Sequence, residues 1–98
     1  MEIEEILRKY SVIAVVGLSP DSGRDSHMVA SFMKERGYRI IPVNPKCEEI
    51  MGERCYPSLR EIPVPVEIVN VFQRPESVPP IAEEAMEIGA PVFWMQLG

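Results

Sequence analysis

With two cysteines and one histidine in 98 residues, the chain has too few thiols for a disulfide scaffold and too few soft ligands for a structural metal site. Seven residues separate Cys47 from Cys55, which matches no zinc spacing, so both read as reduced thiols and no metal is expected. His27 stands alone, with no serine or cysteine and orienting acid to complete it, so no catalytic triad can be assembled. Basic charge is scarce as well: ten Lys and Arg against fifteen Asp and Glu leave a net charge of −5. That balance argues against nucleic acid or an anionic membrane surface as the main partner, since both call for a basic face. Long apolar runs are missing too; the longest reach about six residues where roughly 20 are needed to cross a bilayer. The opening Met1-Glu2-Ile3-Glu4-Glu5 carries the wrong charge for a signal peptide, and a cytoplasmic protein is expected.

What is present is an ordinary globular composition, 46% hydrophobic and 26% charged, in a length that supports one core and hence a single domain over residues 1–98. Four short runs, 12–16, 39–43, 67–72 and 91–95, are rich in β-branched and aromatic residues and do not alternate cleanly. That is the signature of strands covered on both faces. Between them, Met28, Val29, Phe32 and Met33, then Val78, Ile81, Ala82 and Ala85, recur at helical spacing. Gly37 and Gly89 stop these two helices, and Pro79 and Pro80 fit the first turn behind a Ser77 cap. A further helix is expected at the start, where Ile3, Ile6, Leu7 and Tyr10 share a face. Ser58 to Ile62 reads as a short helical turn, and Arg54-Cys55-Tyr56 as a minor strand. Trp94 and the methionines read as core.

Strands that alternate with helices predict an α/β, Rossmann-like doubly wound parallel sheet of about five strands in a three-layer α/β/α arrangement, ordered 3-2-1-4-5 if the minor strand forms. Ligands of such folds bind beyond the carboxyl ends of the strands. The loop after the first strand, Gly17 to Ser26, is therefore the first candidate site. Gly17 allows close backbone approach, Ser19 and Ser26 offer hydroxyls, Arg24 offers charge, and the helix start offers free N–H groups. The loop matches neither Gly-x-Gly-x-x-Gly nor a Walker A motif. Read plainly, Gly17 and Gly23 are turn residues and Ser22 or Asp25 a helix cap.

The second strand ends in Asn44-Pro45-Lys46, about 20 residues on, where an NAD site would place an acid for the ribose diol. Lys46 suits a phosphorylated ribose instead, or is simply a solvated lysine. The third long strand ends in Phe72-Gln73-Arg74-Pro75, which places an aromatic face and a guanidinium at the same edge for adenine stacking or a phosphate contact; alternatively Phe72 is core and Arg74 pairs with Glu76. Gln96 ends the last strand as a further polar contact. Cys47, next to Lys46, is a candidate for thiol exchange.

The runs Ile13-Ala14-Val15-Val16-Gly17-Leu18-Ser19, Arg24-Asp25-Ser26 and Gly37 through Lys46 resemble the small CoA-binding domain proteins, themselves similar to the CoA-binding domain of succinyl-CoA synthetase. Gly52-Glu53-Arg54-Cys55-Tyr56-Pro57-Ser58-Leu59, Val71 to Glu76 and Val92 to Gly98 resemble the same family's later blocks, in order over nearly the whole chain. The resemblance implies noncovalent binding of coenzyme A or an acyl-CoA by a module without catalysis of its own. Transferred residue by residue, Gly17, Ser19, Pro20 and Arg24 would line the pyrophosphate, with Leu18 and Ser26 as further cofactor-binding residues of the same loop. Asn44, Pro45 and Lys46 would serve the phosphorylated ribose, and Phe72 to Pro75, including Arg74, the adenine side. Other readings are an NADP-binding oxidoreductase fragment and a ligand-free interaction module. The family usually continues with another helix and edge strand, so the sheet is expected to leave an open edge through which copies of the chain associate.

Overall fold

A computed structural model describes residues 11–95. The expected opening helix over Ile3 to Tyr10, and Gln96, lie outside the described residues. Four strands form one parallel sheet: β1 (Val12–Val16), β2 (Arg39–Val43), β5 (Ile68–Val71) and β6 (Val92–Met95), in the order β2-β1-β5-β6. A separate antiparallel ribbon joins β3 (Glu49–Ile50) to β4 (Glu53–Arg54). Helix α1 (Asp25–Glu35) connects β1 to β2, and α2 (Val78–Glu87) connects β5 to β6.

The sheet is buried on both sides because successive residues of each strand serve opposite faces. Ile13, Val15, Ile40 and Ile68 pack with Ala30 and Met33 of α1. Ala14, Val16, Val43, Val69 and Val71 pack with Ala85 of α2 and with Leu59 of a one-turn 3₁₀ helix at Leu59–Glu61. Helices on both faces make the three-layer Rossmann-like arrangement. Both helices stop next to glycines with positive φ, Gly37 at 96° and Gly89 at 74°, and α2 carries its prolines in the first turn. Ser77 occupies the cap position of α2 without a side-chain cap bond.

The fifth strand is reduced to a single bridge. Tyr56 pairs with Val43, its N–H donating to Pro42 O at 3.0 Å and its carbonyl accepting from Asn44 N at 3.0 Å. The segment lies outside β2, as the order 3-2-1-4-5 requires, but two prolines stop the ladder from growing. Pro42 has no N–H to offer on that outer edge, and Pro57 ends the partner segment. At the opposite end of the sheet, the Glu67 carboxylate accepts bonds from Ser11 N (3.0 Å), Ser11 Oγ (3.2 Å) and Val12 N (3.0 Å). These backbone donors hold its carboxyl below the usual range, so the contact stabilises the fold above that range and fades as acid protonates it.

Three of the five methionines among the described residues depart from the core assignment. Met33 is buried, but Met28, Met86 and Met95 are exposed, and Trp94 is only half-buried. Met28 and Met86 fall on the outer faces of their helices, and β6 is an edge strand among the described residues, so none of the three has a second layer above it. Asn70, in the middle of β5, is fully buried and its amide finds no partner among the described residues.

Core and surface positions should therefore separate in denaturant unfolding. Ile13→Ala, at 1% exposure, is expected to cost about 2–5 kcal/mol. Met86→Ala, at 80% exposure, is expected to stay within about 0.5 kcal/mol of the parent.

Candidate functional site

The strand order reverses between β1 and β5: the chain runs from β1 outward to β2, then crosses back to the other side of β1. Loops leaving the carboxyl ends of these two neighbours diverge and leave a crevice. Here the crevice is a cavity of about 580 Å³. One wall is Gly17, Ser19, Arg24, Asp25 and Ser26; the other is Phe72 through Pro75.

Gly17 makes the junction. Its N–H donates to Val43 O at 3.0 Å and its φ of +87° turns the chain out of the sheet. A Cβ there would run into the Phe72 carbonyl oxygen and come within 2.9 Å of Gln73 Nε2. Glycine is thus required both by backbone conformation and by space.

Side chains from several elements hold the loop in shape. Ser19 N donates to Ser26 Oγ at 3.0 Å, Asp21 N to Ser19 Oγ at 3.1 Å and Gly23 N to Asp21 Oδ1 at 2.9 Å. His27 Nδ1–H donates to Ser19 O at 2.9 Å, and Asn44 Nδ2 donates to Leu18 O at 3.0 Å. The first turn of α1, entered at Arg24 with no side-chain cap bond, faces this loop. Its leading N–H groups have no intrahelical partners and lie at the positive end of the helix.

The structure brings Gly17, Ser19, Arg24, Ser26, Phe72, Arg74 and Pro75 to one cavity. It assigns other work to several more of the expected site residues. Leu18 is fully buried in the core beneath α1, outside the lining, and its carbonyl accepts from Asn44 Nδ2. Pro20 is exposed on the loop, outside the lining. Asn44 closes a turn, its Oδ1 accepting from Lys46 N at 2.9 Å while its amide ties the turn to Leu18. Lys46 is exposed beside it. Pro45 lines a second, smaller cavity of about 180 Å³ on the α2 side, with Pro57, Leu59, Ile81 and Glu84. Gln73 lines both cavities and so stands between them. Phe72 combines its two readings, half-buried against the α1-side core while lining the larger cavity.

Two roles are absent from the sequence-based account, which took Gln73 only as part of the Phe72 to Pro75 stretch and His27 only as an incomplete triad. His27 anchors the loop, and Gln73 joins the cavities; each depends on a contact between segments that no local pattern announces. Among the described residues, no helix is long and apolar enough to cross a membrane, and no group of three or more His, Cys, Asp or Glu could hold a metal ion.

Comparison with known proteins places this geometry among relatives. The model of the family described as CoA binding domain matches residues 11–98. The chain is 54% identical over 97 residues to the uncharacterized protein YneT of Bacillus subtilis, covering 99% of this chain and 72% of that one. It is 34% identical over 73 residues to acetate–CoA ligase (ADP-forming) I of Archaeoglobus fulgidus, covering 74% of this chain but only 11% of the ligase. Among solved structures, a hypothetical protein from Pyrococcus horikoshii superposes with a TM-score of 0.91 at 44% identity, covering 94% of this chain and 65% of that one.

Gly17→Ala is expected to destabilise the fold by about 2–4 kcal/mol, since positive φ alone costs about 1–2 kcal/mol in a non-glycine residue and steric conflict with Phe72 adds to it. Urea titration of the two proteins measures it.

Proposed function

We propose, since the chain belongs to the CoA-binding domain family, that it binds coenzyme A or an acyl-CoA noncovalently across the carboxyl ends of β1, β2 and β5. The observation that carries this reading is the larger cavity, where two guanidinium groups and a helix N-terminus meet a glycine turn in an otherwise acidic protein. Asp25 is the single carboxylate on its wall. The pyrophosphate would lie against the Gly17 turn and the start of α1, held by Arg24 with Ser19 and Ser26. Lys46, beside the Asn44 turn, would meet the phosphorylated ribose, and the Phe72 to Pro75 wall would take the adenine side. In this reading the cavity holds CoA or acyl-CoA noncovalently, without acyl transfer of its own. Self-association would use the outer edge of β6, whose ladder groups face no strand among the described residues; light scattering over a concentration series reads it as a mass that rises with concentration.

Calorimetry distinguishes the ligands. CoA should bind more tightly than NADP or NAD, and more weakly as salt rises and screens the phosphate contacts. Binding of NADP without binding of CoA would instead support a dinucleotide-dependent oxidoreductase fragment. Arg24→Ala should cost about 1.5–3 kcal/mol of CoA binding while leaving the apo melting temperature nearly unchanged, because Arg24 is exposed and its side chain makes no cap bond. Unchanged affinity in that variant would move the phosphate site elsewhere.

A further inference from the structure

We propose that Cys47 and Cys55 form a dithiol that reduces low-molecular-weight disulfides in two exchange steps, Cys47 attacking first and Cys55 resolving. The two residues flank the β3–β4 ribbon. In its register Glu49 faces Arg54, and Cys55 N extends the ladder by one bond, donating to Glu48 O at 2.8 Å. Cys47 is therefore one residue from the position directly across from Cys55. The position across from Cys55 is taken by Glu48, which hydrogen-bonded cross-strand pairing sets about 5.5 Å away Cα to Cα, and Cys47 is the next residue along the chain. The chain bends at Glu48, so strand alternation does not extend to Cys47, and both cysteines lie against the same apolar cluster beneath α1: Cys55 belongs to it and Cys47 packs against it.

The ribbon is fixed in place. Its turn, with Met51 at φ 57°, is held to the last turn of α1 by Lys34, which donates to Met51 O and pairs with Glu53 Oε1 at 3.4 Å. At the other end, Cys47 N donates to Asn44 O at 3.4 Å and Tyr56 is bridged to Val43. With both ends and the turn anchored, the two thiols stay neighbours.

Their environments differ as the two steps require. Cys47 is half-buried and reachable from solvent, whereas Cys55 is 7% exposed. Burial first, then Cys47 and Glu49, push the Cys55 thiol up to about 11, so it stays protonated while the first exchange takes place. In that exchange the Cys47 thiolate attacks one sulfur of the disulfide, forms a mixed disulfide and expels one thiolate. Conversion of Cys47 to a neutral mixed disulfide removes its charge from beside Cys55. The Cys55 thiol then gives its proton to solvent, and its sulfur attacks Cys47 Sγ, forming the Cys47–Cys55 bond and expelling the second thiolate. Two protein thiols are oxidised and one external disulfide is reduced, a balanced two-electron exchange. The exchange itself does not depend on the CoA reading; only a preference for a CoA-bearing disulfide rests on that reading, because Cys47 follows Lys46 directly.

The test incubates the reduced protein with hydroxyethyl disulfide and, in parallel, with oxidised CoA, following released thiol, intact mass and peptide maps. The dithiol predicts two thiol equivalents released per chain and a peptide that links Cys47 to Cys55 with both probes. Cys55→Ser should stop at one equivalent with the adduct on Cys47, and Cys47→Ser should form no adduct at the same rate. A stable adduct on Cys47 of the parent protein, an adduct confined to Cys55, or no internal link with either probe overturns the proposal. The parent protein alone decides this, so the result stands even if a variant fails to fold. Faster reaction with oxidised CoA than with hydroxyethyl disulfide supports the preference. Equal rates with both probes remove it and leave the dithiol intact.

Discussion

The site depends on one close approach, between Gly17 at the end of β1 and the Phe72–Gln73 backbone at the end of β5. Phe72 N donates to Val16 O at 2.8 Å, so the two strands remain bonded up to the point where their loops part. A side chain at position 17 would force them apart or send the loop elsewhere, and the start of α1 would no longer face Phe72 to Pro75. The positive φ of Gly17 sets the exit direction, and the following residues inherit it. A cavity between two diverging loops needs both conditions: a tight junction beneath it and a sharp turn beside it.

Above that junction the loop is held by polar side chains rather than by further glycines. Ser26, His27 and Asn44 each bond a backbone group of Leu18 or Ser19. Three separate segments, the loop, α1 and the end of β2, are thereby locked together. This explains how the recess beside Gly17 forms without a Gly-x-Gly-x-x-Gly pattern. Glycine-rich loops obtain close backbone approach from missing side chains; this one places Gly17 at the junction and satisfies loop groups with serine, histidine, asparagine and, at Gly23 N, aspartate. The local charge follows from the same geometry. Arg24 and Arg74 are far apart in the chain yet share one cavity, so an acidic protein holds a recess lined by two guanidinium groups and one carboxylate.

Edge chemistry governs the rest of the sheet. Pro42 can sit in β2 because its missing N–H falls on the side away from β1, and the same vacancy limits Tyr56 to a single bridge. The β3–β4 ribbon takes over where a fifth strand would continue, and contacts to Lys34 and Asn44 anchor the segment that carries the two cysteines.

The sequence by itself determined the class of fold and the main elements. β1 and β2 fall on the apolar runs 12–16 and 39–43, because strands covered on both faces must be apolar throughout, and that demand is visible locally. The helix stops at Gly37 and Gly89, and the prolines in the first turn of α2, are equally local consequences of backbone sterics. That the loops after β1 and β5 border one cavity followed from topology, since the loops after parallel strands gather at one edge. Tertiary structure alone decided which residues share a cavity, that Leu18 turns inward while Gln73 joins two recesses, that His27 serves the loop, and that three of the five methionines among the described residues point to solvent. These outcomes depend on contacts between residues far apart in the chain and on which side of a helix or strand has a neighbouring layer. Residue type and spacing constrain such contacts only weakly; the packed layers choose among them.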